Sequence, residues 1–567
     1  RNTAAAMNLE PGRFLDALIA RGERPGAIDA FLETFADLEA SARTALRDWA
    51  TPAQNPGSSE LAAMVLRAAK SWHHEQEALV HRKNQILEAL GSLEKRAEVT
   101  RSTEDRQQFE AARAELELVN MQIDQASAMD EKTAQGALAH VNKQIATSST
   151  EYWISALERV GVFPNYTLLD DTVTLDVSMS WLNPDTGQYE YEPASYERGS
   201  ANALRDFAPG ATFYAHGFAV QVDSLDLGAE AEEVRRWVFC PQCGFGADLT
   251  EHASNQVVSS CPRCGTDGIG EVGNQLDVVE FKKASANVNR ESSRISDASD
   301  ERVRTGFTTE LAADIDPAGI ERQWFIEGTG FGAKLVNHLT LRFLNLGKRV
   351  EQGSQRTIAG APYFAPLFDV CEGCGHLNTQ TRANTRAEHA PWCRYRDDLA
   401  EHNRSVALAR TLVTQGVLMP LPWHITSGDD FAIPSLQTAV LRGLRDEFGG
   451  SPDHLGVAVV TDPTTPGEHK LPALLLHDQV PGGTGYLAKL AEPQAVWTML
   501  FSAWRTLRDC PCQNEGRLAC HRCLLPFAAD WQVARVSRTS AERHLRQILT
   551  GSATGPDPTE EMAWQIA

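Results

Sequence analysis

The feature that most constrains this chain is the spacing of its eleven cysteines, which fall into three groups with the geometry of metal chelates. The first group is Cys240-Pro-Gln-Cys243-Gly and Cys261-Pro-Arg-Cys264-Gly. A C-x-x-C knuckle turns tightly enough to aim both thiolates at one point, and a following glycine lets the backbone relax out of the turn. Two such knuckles predict tetrahedral zinc held by four thiolates in a ribbon. The second group is Cys371-Glu-Gly-Cys374-Gly followed by His389-Ala-Pro-Trp-Cys393, which fits a set of three thiolates and one imidazole. His376 is a rival fourth ligand, although it sits too close to Cys374 to reach the same ion easily. The third group is Cys510-Pro-Cys512 and Cys520-His-Arg-Cys523, again a four-thiolate set, with His521 read as a surface side chain. For this group buried and reactive thiols are the alternative.

Other uses of cysteine fit less well. An odd count and no visible export signal weigh against a disulfide framework. A redox C-x-x-C needs a thioredoxin-like βαβ context, which is missing. With His389 as the twelfth ligand the cysteines are all accounted for, so three zinc ions are expected. Full ligand sets imply structural sites, because catalytic zinc keeps an open position, and no cysteine remains as a nucleophile.

The 567 residues suffice for several domains, and 42% hydrophobic with 23% charged residues is the balance of a globular chain. The formal net charge of −22 argues against a protein that coats nucleic acid by itself, since that affinity comes from Lys and Arg neutralising phosphates. A local basic groove is compatible with it. There is no run of eighteen apolar residues and no signal peptide, so no membrane partner and a cytoplasmic location are expected. A first residue of Arg1 rather than Met suggests a processed product or a piece of a longer polypeptide.

Hydrophobic periodicity divides the chain. Residues 1–160 read as a helical region. Trp72, Leu79, Ile86, Leu90 and Leu93 make one arm. Phe109, Ala112, Leu116, Val119, Ile123 and Ala126 form a heptad seam on a second, which together predict an antiparallel coiled-coil hairpin, or two helices of a compact bundle. Residues 161–404 alternate as strands and carry two zinc modules; the run 276–284 reads as one strand. Residues 405–550 alternate strand and helix, with a helix over Ser435–Arg445 and strands at 455–462 and 471–478. A tail, 551–567, follows. The fold class expected is α+β multidomain, with a helical N-terminal region, a strand-rich middle with zinc ribbons and an α/β C-terminal zinc-binding domain.

The segments LLLHDQVPGGTGYLAKL (474–490) and CPCQNEGRLACHRCLLPF (510–527), with IPSLQTAVLRGLRDEFG (433–449) before them, resemble the C-terminal zinc-binding domain of MrfA-type superfamily 2 helicases. The same domain occurs in the DrmB subunit of DISARM antiphage systems and in large Druantia-type defence helicases. Residues 161–181 and 196–228 resemble the segment joining motor to zinc domain in long bacterial helicases. The resemblance implies the non-motor C-terminal part of an ATP-dependent DNA helicase, positioning or clamping DNA in antiphage defence. The alternative it implies is a separate DrmB-like subunit docking on a partner helicase, with other defence subunits as possible partners. One departure is decisive: there is no G-x-x-x-x-G-K-[ST] loop and no Asp-Glu-x-His box, so the chain alone is not expected to hydrolyse ATP. ATP would act only through motor domains supplied in cis or in trans.

Other constellations have a bland and a sharp reading. Pro481-Gly482-Gly483-Thr484-Gly485 is either a tight strand-to-helix turn or a phosphate cradle. His477 and Asp478 are either bracing groups or an acid–base pair of a nuclease or phosphatase. Arg522, Arg535, Arg538 and Arg543 are either solvated charge or a nucleic-acid track. Gly482, Gly483, Thr484, Arg522, Arg535 and Arg538 are the candidate nucleic-acid contacts; no catalytic residue is assigned.

Overall fold

The computed structural model describes chiefly residues 19–67 and 172–566, with short interruptions of which the longest in the second stretch are 251–258, 296–301, 380–388 and 396–401. Within the first stretch lie α1 (Ala27–Leu32), α2 (Ala40–Ala50) and the start of a third helical segment. Ser59 caps that segment by accepting from the Ala62 N–H at 3.0 Å. Most of the expected coiled-coil hairpin falls outside the described residues.

The second stretch is mixed α+β. It opens with β1 (Thr172–Leu182), β2 (Tyr189–Gly199), α3 (Ser200–Asp206), β3 (Thr212–Ala215), β4 (Phe218–Gln221) and β5 (Ser224–Leu225). Then come β6 (Val234–Phe239), β7 (Gly246–Asp248), β8 (Gln275–Glu280), β9 (Lys283–Asn289), β10 (Phe307–Ile315), β11 (Ile320–Phe325) and β12 (Gly332–Lys348). A small hairpin, β13 (Gln355–Ile358) and β14 (Ala361–Phe364), precedes β15 (Phe368–Cys371) and the long β16 (Asn403–Pro420). The C-terminal part is α4 (Trp423–Thr426), α5 (Ala432–Phe448), β17 (Leu455–Thr461), β18 (Pro472–Asp478), α6 (Tyr486–Leu490), α7 (Pro493–Arg508) and α8 (Arg538–Thr550).

Two sheets organise these elements. One has four strands in the order β2-β1-β9-β5, with β1 and β9 parallel. The other has ten strands along the path β10-β12-β16-β8-β6-β7, with β11, β15, β17 and β18 attached. The run 276–284 is thus two strands rather than one: β8 pairs with β6 in the large sheet, and β9 pairs with β1 in the small one. The chain changes sheets at Phe281-Lys282. Periodicity reports faces, and both halves have one buried face, so nothing in the pattern marks the crossover.

β12 and β16 form the spine. Each is long enough to serve two cores, and their register holds from Lys334↔Leu418 to Asn345↔Leu408 with one irregularity. The sheet runs through the expected 404/405 boundary, since β16 begins at Asn403 and pairs with both β12 and β8. The core on the C-terminal side packs α5, α7 and α8 against β16, β17 and β18 around Leu436, Val440, Trp504 and Leu545. The tail returns to this core: Trp564 lies against Trp324 and Trp497 at ring centroid distances of 5.5 and 5.0 Å, and Glu327 N–H donates to Gln565 at 2.9 Å. No helix among the described residues is long and apolar enough to cross a membrane.

Candidate metal centres and the C-terminal zinc module

The three groups converge as their spacing predicts. Cys240, Cys243, Cys261 and Cys264 form one cluster, Cys371, Cys374, His389 and Cys393 a second, and Cys510, Cys512, Cys520 and Cys523 a third; within each, the ligand atoms lie within 4.8 Å of one another. None of the cysteines is in a disulfide.

Distances decide what such clusters fit. A tetrahedral ion with Zn–S bonds of about 2.3 Å sets its sulfurs about 3.8 Å apart, and a Zn–N bond of about 2.0 Å places nitrogen about 3.5 Å from sulfur. In the first cluster the Cys240–Cys264 and Cys243–Cys261 sulfurs are both 3.6 Å apart. In the second the Cys371–Cys393 sulfurs are 3.7 Å apart, and His389 Nδ1 lies 3.6 Å from Cys393 and 3.9 Å from Cys374. In the third the Cys510–Cys520, Cys520–Cys523 and Cys512–Cys523 sulfurs are 3.5, 3.7 and 3.9 Å apart. All match the edge of a zinc tetrahedron. His376 points elsewhere, with Nε2 3.9 Å from Asp223, and is not in the second cluster.

The knuckles are built as the sequence implies. Gly244, Gly265 and Gly375, each following a second cysteine, have φ of 82°, 77° and 69°, the left-handed region that glycine enters without penalty. Backbone N–H groups support the sulfurs: Gln242 donates to Cys240 at 3.4 Å, Gly373 to Cys371 at 3.3 Å and Cys520 to Cys523 at 3.2 Å. Such donors stabilise thiolates.

Ionisation points the same way. In the first cluster the hydrogen bonds from Cys240 and Cys243 hold the Cys261 thiol far down at about 2, while the neighbouring Cys240 sulfur pushes Cys243 far up. In the second, Cys374 and Cys393 hold Cys371 down to about 2, and Cys371 in turn drives Cys374 up. Three or four thiols this close cannot all ionise alone; a bound dication supplies the missing charge. The residues fit zinc in number, chemistry and distance.

The clusters differ in how much core surrounds them. The first sits in a small nucleus of its own, with Val238 and Ile269. Its knuckle is pinned by the β13–β14 turn, where Ala359 and Gly360 N–H donate to Cys240 and Pro241 carbonyls at 3.2 and 2.7 Å. The second is held against the small sheet by Leu225 N–H donating to Gly375 at 3.0 Å. The third belongs to the main C-terminal core, in which Cys510, Cys512 and Cys523 are buried with Leu507 and Leu524.

The remaining predicted contacts divide. Gly482 N–H donates to Val413 and Gly483 N–H to Val480, both at 3.0 Å, so neither faces outward as a phosphate donor. Thr484 lies outside the described residues. Asp478 is fully buried and its Oδ1 accepts from Val480 N–H at 3.0 Å, which is the bracing role. His477 is buried beside it, held neutral by desolvation with its pKa lowered to about 4. Neither group reaches solvent, so the pair is not an exposed acid–base centre. Arg538 donates to the Leu507 carbonyl at 3.0 Å and its backbone N–H donates to Leu518, tying α7, the zinc loop and α8 together. Arg543 pairs with Asp429 at 2.6 Å. Arg522, within the Cys520–Cys523 loop, and Arg535 remain exposed.

Sequence reasoning missed the cluster that anchors α8: Asp429 accepts from Ser540 at 2.6 Å and sits 2.8 Å from His544 Nε2. It also missed the buried Lys334–Asp462 ion pair. Their members stand more than a hundred residues apart, so no local pattern announces them.

Residues 436–524 match the family model of the MrfA Zn-binding domain, a span that encloses the whole third cluster. The C-terminal module therefore binds zinc. No curated protein matches the chain. Among solved structures, the crystal structure of the DUF1998 helicase MrfA bound to DNA is similar at 10% identity and a TM-score of 0.32, covering 69% of this chain. The chain corresponds to 35% of that protein's length.

Proposed function

We propose that this chain is the zinc-stabilised, non-motor part of an ATP-dependent DNA helicase or translocase, and that it positions or clamps DNA for the motor in antiphage defence. The observation that carries the reading is the match of residues 436–524 to the MrfA Zn-binding domain, centred on a four-cysteine cluster of zinc geometry. In this reading the chain holds three structural zinc ions, on Cys240, Cys243, Cys261 and Cys264, on Cys371, Cys374, His389 and Cys393, and on Cys510, Cys512, Cys520 and Cys523. Zinc there supplies charge compensation and cross-links, not Lewis-acid chemistry, because four protein ligands leave no position for substrate.

The units proposed are a helical region (1–160), a strand-rich region with two zinc modules (161–404), the C-terminal zinc-binding domain (405–550) and the tail (551–567), the last three joined through one sheet and core. Arg522 and Arg535 are the surviving candidates for phosphate contact at the zinc module. ATP hydrolysis belongs to motor domains, in cis as in a Druantia-type helicase or, as the alternative, in trans as for a DrmB-like subunit.

The test is affinity purification of the native protein with its ATPase and DNA-binding activity measured. A helicase motor, covalently joined or co-purifying, together with binding of DNA, is expected. A native protein with neither motor nor DNA affinity would overturn the reading.

A further inference from the structure

The small sheet, against which the second cluster is held, and the β3–β4 hairpin carry several arginines and rings outside the C-terminal zinc module. Tyr196 on β2 packs edge-on against Phe213 at 5.3 Å, and Phe213 packs edge-on against the buried Phe207 at 5.0 Å. This run of rings starts in the core and ends at the surface, so its outer member is fixed in place. On Tyr196 lies the His216 ring, 5.9 Å away and inclined by 30°. His216 is exposed at the hairpin turn in the left-handed region, φ 49°.

Two cations border this stack, and a third lies further along β1, six residues beyond the Leu175 that pairs with Tyr196. Arg198 lies over Phe213 at 5.2 Å, Arg302 over Tyr214 at 5.9 Å and Arg290 over Trp181 at 4.6 Å. The loop that carries Arg290 and Arg294 is sewn to the hairpin, with Ala219 N–H donating to Ser293 at 2.7 Å and Ile295 N–H to Gly217 at 2.8 Å. Asp206 neutralises Arg198 at 3.0 Å; within 290–295 the one acidic residue is Glu291, and Asp297, Asp300 and Glu301 follow in the same loop. Arg290 and Arg294 are exposed and have no ion-pair partner among the described residues. In a chain of net charge −22 the stretch 290–306 is neutral, four arginines against four acids, and these two exposed arginines stand at its start.

An exposed imidazole seated on half-buried rings and bordered by cations is a surface that suits single-stranded nucleic acid. Each base offers a face to stack, and each phosphate a charge to neutralise. A duplex hides its base faces and offers only the second. The patch presents short strands and a two-residue turn rather than a helix that would enter a major groove. We infer that the β3–β4 hairpin with Tyr196, His216, Arg290 and Arg294 is a stacking platform for a single strand of nucleic acid, a second contact separate from the zinc module. The inference rests on the proposed DNA-positioning role and specifies the form of the substrate. Bases stack on the His216–Tyr196 pair, and Arg290 and Arg294 follow the backbone.

The experiment is fluorescence anisotropy of the full chain with a labelled twenty-nucleotide oligo-dT, the corresponding oligo-rU and a duplex of equal length, over a range of salt. His216→Asn removes the ring while keeping a residue that tolerates positive φ, and Arg290→Gln with Arg294→Gln removes the cations. Metal content and circular dichroism establish that the variants are folded. Tighter binding of single strands than of duplex is expected. His216→Asn should weaken single-strand binding about tenfold with little effect on duplex. The double arginine variant should reduce the slope of log affinity against log salt by about 1.4. Single-strand binding untouched by both variants, or equal losses for single strand and duplex on His216→Asn, would overturn the platform while leaving a DNA-binding role intact. Failure of the unaltered chain to bind any of the three would sink the broader reading as well.

Discussion

At the residue scale, two buried polar groups next to the glycine turn show how position limits chemistry. Asp478 has no access to solvent and braces the turn through Val480 N–H. Replacing it by alanine leaves a buried donor unmatched, a loss of about 1–3 kcal/mol in unfolding experiments, with nuclease activity at background before and after. DNA cleavage that Asp478→Ala abolishes would contradict the bracing role. His477 is paired across β18 with Gly416 on one side and Gly456 on the other, and a side chain at Gly456 would collide with its ring. Burial lowers its pKa from 6.5 to about 4. The unfolded chain therefore takes up this proton near pH 6.5 and the folded chain only near pH 4. The stabilisation from keeping His477 neutral is complete above pH 6.5 and is lost as the pH falls from there to 4, about 3 kcal/mol in all. His477→Gln should remove that share of acid sensitivity, measured by urea unfolding at pH 7 and pH 5; an unchanged pH dependence would contradict it.

The scale of elements is where the cysteine pattern becomes geometry. A knuckle's spacing fixes the distance between its sulfurs, so all three clusters were legible from local sequence, down to His389 rather than His376 completing the second. The glycines after Cys243, Cys264 and Cys374 were legible for the same reason. What surrounds each knuckle was not. A β-carbon on Gly375 would stand 1.8 Å from the Leu225 carbonyl oxygen, a contact made across 150 residues. Gly375→Ala should therefore loosen the second centre, with strain of roughly 1–2 kcal/mol from φ alone and steric overlap added to it. The readout is one zinc lost to a mild chelator at a concentration the parent chain resists. Arg538 illustrates the opposite failure. It reads as surface charge in a basic run, yet its guanidinium is committed to the Leu507 carbonyl. The phosphate reading of the glycine turn weakened similarly, because the strand behind it takes the Gly482 N–H.

At the scale of the whole molecule, one continuous sheet joins regions that composition separates. Among the described residues of 172–566 every α-helix but α3 follows residue 405, yet the hydrogen-bond ladder of β16 runs across that position. Periodicity cannot show which strand neighbours which, and so the shared spine, the sheet crossover at Phe281-Lys282 and the return of the tail were invisible. The tail belongs to the fold: Trp564→Ala should cost about 2–3 kcal/mol, less than a fully buried tryptophan because the residue is only partly buried. Asp557 adds ion pairs to Arg508 and Arg546, each at 3.1 Å. An unchanged melting temperature would show that the tail merely rests on the surface.

The central claim is that three closed zinc centres hold these regions together, each contributing on the order of 10 kcal/mol to local folding. The most direct test is metal content by inductively coupled plasma mass spectrometry on the native chain after exhaustive dialysis. Three zinc per chain is the expected result, falling to two when His389 and Cys393 are both replaced by alanine. One zinc or fewer in the native chain would contradict the account.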